Sequence, residues 1–394
     1  MNAATKQPCR EIVVSGVGHT RFGRLDEEDV ESLVVEAVRG ALADADVPGD
    51  AVDAIFFGNF NVGMQPLAFG SSLALQADDG LLGVPATRVE NACASGSAAV
   101  HQGIQAILAG AANTVLVVGA EKMTNSSPET VGRALLGADY DAAGTASRHG
   151  FAGLFAAVAH EYQRRYGSIG DEMAWIAAKN HANGLANPYA HLRKDFSFDF
   201  CRDVTDANPM VAHPLRRTDC SPVSDGAAAL VLQRENLAVR SLARIVGYSQ
   251  SNDYLPAARR DPLAFEGTKA AVEQALKMSN RALTDLDFAE VHDCFTIAEL
   301  LVYEAIGLAE PGRAREVVNA GTTLKDGRLP VNPSGGLKSK GHPVGATGVS
   351  QHVLAALQLS GRAGDMQVPD AGIGLVHNMG GLAVANYATI MESL

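Results

Sequence analysis

Short apolar runs alternate with stretches of helical period along most of the chain. Ile12 to Val14, Ala54 to Phe57, Val115 to Val118, Ile245 to Val246 and Gly374 to Val376 are strand-sized; the first reaches Gly16 after one serine and the others lead directly into Gly or His. Between them apolar positions recur at helix spacing, which is the pattern of strands wrapped by helices. An α/β fold is expected, with the strand ends facing whatever chemistry the protein performs.

The pattern also repeats. Ala37, Val38, Ala41, Leu42, Val52 and Asp53 return with unchanged spacing as Ala271, Val272, Ala275, Leu276, Leu286 and Asp287. Each set reads as helix, turn, strand. A second helix carries Val100, Ile104, Ile107 and Leu108 in one half and Val349, Val353, Ala356 and Leu357 in the other, the apolar stripe of a helix that packs on one face. This register sets Cys93 of NACASGSAAV opposite His342 of KGHPVGATGV, each seven residues before its first marked apolar position. Two such halves, packed face to face about an approximate two-fold, would aim both helix N-termini at one centre. Residues 121–211 contain polar segments such as NSSPET and NGLANPYAHLRKDF, too long for a plain connection, and are expected to form an inserted cap. The expected division is 1–120 plus about 212–238 as one half, 121–211 as the cap and 239–394 as the other half.

Composition narrows the class. The 394 residues suffice for two or three cores, and 47% hydrophobic with 19% charged residues excludes disorder over most of the length. Thirty-two basic against 44 acidic residues leave a net charge of −12, so there is no long basic footprint for nucleic acid and an anionic ligand must be met by local groups. Cys9, Cys93, Cys201, Cys220 and Cys294 are odd in number and form no CxxC pair, which points to a reducing compartment. The opening MNAATKQPCREIVV has no apolar stretch of signal length and the apolar windows are strand-sized, so a cytoplasmic protein without membrane insertion is expected.

Three places can carry chemistry. Cys93 precedes small residues that open a helix, where a substrate can approach the backbone and the helix N-terminus favours a thiolate. Taken alone it is better read as a buried structural cysteine. His342 sits at a glycine-rich bend between Gly341 and Pro343, and its register opposite Cys93 argues for a proton-transfer partner. His292, Asp293, Cys294 and Phe295 end the strand candidate DLDFAEV, and Cys294 can act as acid or base there if its pKa is suited. No Cys or His pair shows zinc-type local spacing, so no metal is expected, and the Rossmann and Walker A glycine patterns are absent.

These motifs resemble those of a known family over nearly the whole chain. NACASGSAA resembles the nucleophile motif of the thiolases, GHPVGATG their histidine motif, and GAEKMT and SDGAAALV two further signatures, all in family order. HDCF in place of the more widespread NEAF resembles the sterol-carrier-protein type branch, which moves its second catalytic cysteine to this position. Many thiolases keep that cysteine in a CxGGG-like loop. Here the loop reads His377, Asn378, Met379, Gly380, Gly381, with Asn378 in the cysteine's place.

The resemblance implies a duplicated five-layered α/β fold with a loop domain inserted in its first half. It implies an acyl-CoA C-acyltransferase that cleaves 3-oxoacyl-CoA with CoA to acetyl-CoA and a shortened acyl-CoA, or runs the reverse Claisen condensation. By resemblance Cys93 takes the acyl group, Cys294 handles the enolate proton, and His342 activates Cys93 and joins His292 in holding the thioester oxygen. The amides of Cys93 and Gly380 would form a second oxyanion hole. Coenzyme A is the implied co-substrate, with no permanently bound cofactor. It would lie over the cap against Ser221, with Ser334, Gly335 and His149 nearby. Arg193 and Lys194, Arg216 and Arg217, or Lys338 and Lys340 could meet its phosphates, though each pair also fits a solvated basic face. A homodimer or homotetramer is implied, and a small OB-fold partner protein is conceivable. The alternatives are a decarboxylating ketoacyl-synthase-like enzyme, which needs no second thiol, and a non-catalytic acyl-CoA-binding subunit. Acyl length and direction are not readable from residue types, although the branch leans beyond acetoacetyl-CoA.

Overall fold

A computed structural model describes residues 11–394, and Cys9 lies outside the described residues. The first half runs β1 (Ile12–His19), α1 (Val30–Ala45), β2 (Ala54–Gly58), β3 (Ala86–Val89), α2 (Ser95–Leu108) and β4 (Thr114–Glu121). Before the half closes with its last strand, the chain makes α3 (Pro128–Leu136), α4 (Gly150–Tyr166), α5 (Gly170–Leu185), α6 (Phe198–Arg202) and a short hairpin of β5 (Met210–Ala212) and β6 (Leu215–Arg216). Strand β7 (Gly226–Arg234) then returns to the sheet. The second half comprises β8 (Ala243–Asn252), α7 (Glu266–Ser279), β9 (Phe288–Glu290), α8 (Thr296–Ala305), α9 (Ala314–Asn319), α10 (Gly336–Lys340), α11 (Thr347–Leu359), β10 (Ile373–Gly380) and β11 (Ala385–Glu392). All five apolar runs marked in the sequence fall inside strands.

Nine strands hydrogen-bond in the order β3-β2-β4-β7-β1-β8-β11-β10-β9. The seam between the halves is narrow: β1 meets β8 only through Val13 with Arg244 and Val14 with Ala243. On either side of it the pairings have the same directions, two antiparallel and then parallel. Val331 stands in for a fifth strand of the second half through its bridge to Ala289. The repeated aspartates explain themselves. Asp53 accepts from the amides of Asn113 and Thr114 at 2.7 and 3.0 Å, and Asp287 accepts from those of Gly372 and Ile373, both at 2.8 Å. Each ties the turn before a half's second strand to the start of its neighbour.

Helix α1 covers the outer face of the first half-sheet and α7 that of the second, while α2 and α11 lie between the half-sheets. This makes five layers. Helix α11 is buried all round and α2 exposes only Gln102 and Gln105, and Val100, Ile104, Val349 and Val353 are buried in one core with Leu230 and Val376 from the two half-sheets. Burying such a side chain stabilises by about 1.5–3 kcal/mol, so the central layer is the strongest link between the halves. Among the described residues no helix is long and apolar enough to cross a membrane.

Candidate active site

The turn after β3 presents Cys93. Ala92 adopts φ 49°, a left-handed conformation costly for a residue with a Cβ. Ser95 holds it: its hydroxyl donates to the Ala92 carbonyl at 2.6 Å and accepts from the Asn91 amide at 2.9 Å. The end of β10 presses on the same turn, since a Cβ on Gly380 would lie 2.4 Å from the Asn91 carbonyl oxygen. Only glycine allows that approach.

Helices α2 and α11 meet at their N-termini, backbone against backbone. A Cβ on Gly96 would lie 2.8 Å from the Gly345 oxygen, and one on Gly348 would lie 2.2 Å from the Ser97 nitrogen. Gly96 and Gly345 each stand three residues past Cys93 and His342, so the repeat meets itself here. One polar atom from each of Cys93, His292 and His342 lies within 4.8 Å of the others. The two imidazoles are edge-on, with centroids 5.1 Å apart. Such a sulfur and nitrogen set would also suit a soft cation, which local spacing in the sequence gave no sign of.

Hydrogen bonds fix what each ring can do. Thr347 donates its hydroxyl proton to the Pro343 carbonyl at 3.0 Å, so it accepts from His342 Nδ1–H at 2.7 Å. His342 Nε2 is then the free lone pair, a base. Asn378 donates from Nδ2 to His292 Nδ1 at 2.8 Å and to the Cys93 carbonyl at 3.2 Å. His292 therefore carries its proton on Nε2 and is a donor. Two residues on, the Cys294 carbonyl accepts from the Ser221 amide, 3.0 Å away.

Burial dominates the electrostatics. It pushes the Cys93 thiol up to about 12, with the carboxylates of Glu121 and Glu90 adding to the rise and the Gly381 and Cys93 amides opposing it. A thiolate stabilised by the helix N-terminus was the expectation; the dry surroundings overrule it, because a partial helix charge is smaller than the desolvation cost. Cys294 is raised well above its ordinary value by burial, then by Cys93 and Asp293. Burial, then Lys340, lowers His342 to about 3, and burial, then His342, His377 and Lys340, lowers His292 well below its ordinary value. The resting site is two neutral thiols beside two neutral imidazoles.

A cavity of about 680 Å³ opens onto Cys93, Cys294 and His342, and Ser221 and His149 line it too. His149 is held by its Nδ1 contact with the Val211 carbonyl at 2.9 Å. Ser334 and Gly335 do not line it. Ser334 bonds Glu290 through its amide and hydroxyl at 3.1 and 2.7 Å, and Gly335 is packed against Gly184. Most of the basic side chains in the three pairs are also committed elsewhere. Arg216 is buried on Asp219 at 2.8 Å, Lys338 on the Cys220 carbonyl at 2.6 Å, Lys340 on Ser350 at 3.1 Å, and Arg193 on the Leu185 carbonyl. The cavity wall carries a different cation, Arg24, 70% exposed and in a surface ion pair with Asp26 at 2.9 Å.

Residues 12–236 match the family model of the thiolase N-terminal domain, and residues 249–393 that of the thiolase C-terminal domain-like family. The chain belongs to the thiolase family. It is 37% identical to the acetyl-CoA acetyltransferase of Methanothermobacter thermautotrophicus, with 94% of this chain and 97% of that protein covered. It is 34% identical to human sterol carrier protein 2 over 96% of this chain and 72% of that protein, in keeping with the sterol-carrier-protein branch. The Ltp2-ChsH2(DUF35) aldolase shares the fold, with a TM-score of 0.80, 20% identity and 98% of each chain covered.

The remaining thiolase signatures prove to be braces for this site. Lys122 of GAEKMT and Asp225 of SDGAAALV form a buried ion pair at 2.7 Å, and Asp225 also accepts from the amides of Leu25, Met123 and Thr124. Glu121 accepts from the amides of Phe60, Asn61 and Gly345, and burial raises it to about 7. Asp293 of HDCF accepts from Leu337 and Lys338 at 2.6 and 3.2 Å, fastening the segment that carries His342. Behind it lies a network that residue types alone conceal. Lys179 donates to Glu299 at 2.6 Å, and Asn180 bridges Glu299 and Asp293 at 2.6 and 2.7 Å. Polar residues on a helix read as a solvent face; here Lys179, Asn180 and Asn183 of α5, with Asn187 just past its end, point inward, satisfied by the second half.

Proposed function

We propose that this acyl-CoA acyltransferase is a thiolase acting on 3-oxoacyl-CoA through an acyl-cysteine on Cys93. The observation that carries the reading is the convergence of Cys93, Cys294 and His342 on one cavity with His292 directly behind. His342 Nε2 takes the Cys93 proton as the sulfur attacks the keto carbon. The carbon–carbon bond breaks, acetyl-CoA leaves as its enolate, and the Cys294 thiol protonates it. CoA then attacks the acyl thioester, its proton passing to the Cys294 thiolate, and the Cys93 sulfur leaves with the proton held by His342. Each group rests in the protonation state its step requires, the Cys294 thiol with a proton to give and the His342 imidazole with a lone pair to receive one. Burial nevertheless makes the thiol a weak acid and the imidazole a weak base, so the transfers rely on the donors that stabilise the charge formed. His292 Nε2–H and the amides of Cys93 and Gly380, with Gly381 beside them, supply oxyanion donors, each worth about 3 kcal/mol.

Residues 121–211 act as a cap over this cavity, and CoA enters past Ser221 and His149 with Arg24 near its phosphates. The open sheet edge at β3 favours pairing with a second copy in a homodimer. The test is incubation with a 3-oxoacyl-CoA and free CoA. Steady loss of the 3-oxoacyl absorbance and an acyl adduct on Cys93 by mass spectrometry are expected. An adduct on Cys201 or Cys220 with Cys93 unmodified would defeat the assignment, and Cys294→Ala should largely abolish detritiation of acetyl-CoA while Cys93 can still be acylated.

A further inference from the structure

We infer that the wing of the cavity beside α3 is a room for the acyl tail, that Gly132 sets its depth, and that the acyl groups taken are longer or bulkier than acetoacetyl. This deepens the reading above and rests on it. Pro128, Val131, Gly132 and Leu135 all line the cavity, and their spacing puts them on one face of the helix. That face is turned to the cavity and carries no charge. Val131 shares an apolar cluster with Met123, Val344 and Cys93 itself, so the wall begins at the sulfur that would hold the acyl group. Across the cavity stand Phe151 and Phe295, the latter stacked on Phe155 at 4.5 Å. A volume of about 680 Å³ is in the range that encloses an extended ligand.

Gly132 is the telling residue. Glycine inside a helix costs about 0.5–1 kcal/mol relative to alanine, and something must outweigh that. Steric need does not: a Cβ built there meets nothing within 4 Å. Backbone conformation does not either, because Gly132 is absent from the positive-φ glycines. What a side chain at this position would do is occupy the cavity. The glycine keeps open the space into which a tail on Cys93 would extend.

The experiment compares kcat/KM for 3-oxodecanoyl-CoA with that for acetoacetyl-CoA in the wild type, Gly132→Ala and Gly132→Leu. The wild type should favour the longer substrate. Gly132→Leu should lower the ratio about tenfold or more, since each methylene misfitted in a pocket changes discrimination by roughly that factor, and Gly132→Ala should lower it less. Leucine is the better helix former, so the thermal midpoint should not fall, which separates a filled room from a misfolded one. An unchanged ratio in folded Gly132→Leu, or a wild type that prefers acetoacetyl-CoA, overturns the inference. If neither substrate is turned over, the thiolase reading fails separately. The tail room is then decided by binding: decanoyl-CoA should bind the wild type more tightly than acetyl-CoA does, and Gly132→Leu should remove that difference; equal affinities in the wild type overturn it.

Discussion

At the scale of single residues, Asn378 changes the meaning of the site most. The cysteine that many thiolases carry here is replaced by an amide whose Nδ2 holds both His292 and the Cys93 carbonyl. Its work is to fix a tautomer, which makes His292 Nε2–H a donor. Asn378→Ala should therefore lower kcat about tenfold or more, and His292→Ala about a hundredfold, the usual cost of losing an oxyanion donor. Steady-state kinetics check this, and a histidine variant as active as the wild type would remove the role. The buried thiol gives a second expectation. With Cys93 raised to about 12, its alkylation by iodoacetamide in the free enzyme should climb steadily from pH 7 to pH 10, with no plateau near the ordinary value of about 8.5. Cys93, Cys294, His292 and His342 were visible in the sequence because motifs carry them. The function of Asn378 was not, because a tautomer is set by a partner far away along the chain.

Among elements, the meeting of α2 with α11 governs geometry. Their N-termini touch through glycines, and this contact brings Cys93 and His342 into reach of each other. Gly348→Ala places a methyl group 2.2 Å from the Ser97 nitrogen, so the helices must move apart. We expect a loss of about 1–3 kcal/mol, typical of overpacking, and a fall in kcat larger than the fall in thermal midpoint alone would explain. Denaturant melts together with single-turnover acylation would show it, and normal acylation in a destabilised variant would contradict the geometry. The repeat spacing revealed these helices and their register. It could not reveal α5, because Lys179 and its polar neighbours mimic a solvated face until Glu299 and Asn332 are brought against them.

For the whole molecule, the buried histidines decide the response to acid. His19, His101, His181, His191, His292, His342, His352 and His377 all have lowered pKa values, with burial the first cause in each. A histidine whose folded pKa lies below its unfolded value of about 6.5 supports the fold fully above that pH and loses its contribution as the pH drops. Glu36, Glu121, Glu290 and Asp293 are raised and work the other way, favouring the fold as pH falls. Eight groups outnumber four, so between pH 6 and pH 4 the unfolded chain binds more protons. The thermal midpoint should fall steadily from pH 7 to pH 5. A midpoint that holds or rises would mean the carboxylates win.

The sequence by itself determined the α/β class, the duplication, the register of Cys93 against His342 and the candidate groups on which the proposed chemistry rests. Those are properties of spacing and residue type, and they survive in a linear string. Only the tertiary structure decided the protonation state of the thiols, the roles of Asn378 and the α5 network, the retirement of Ser334, Gly335 and most of the basic pairs from the cavity, and the open space at Gly132. Each of these depends on what is excluded or enclosed when distant segments pack, and desolvation and volume have no representation along a chain.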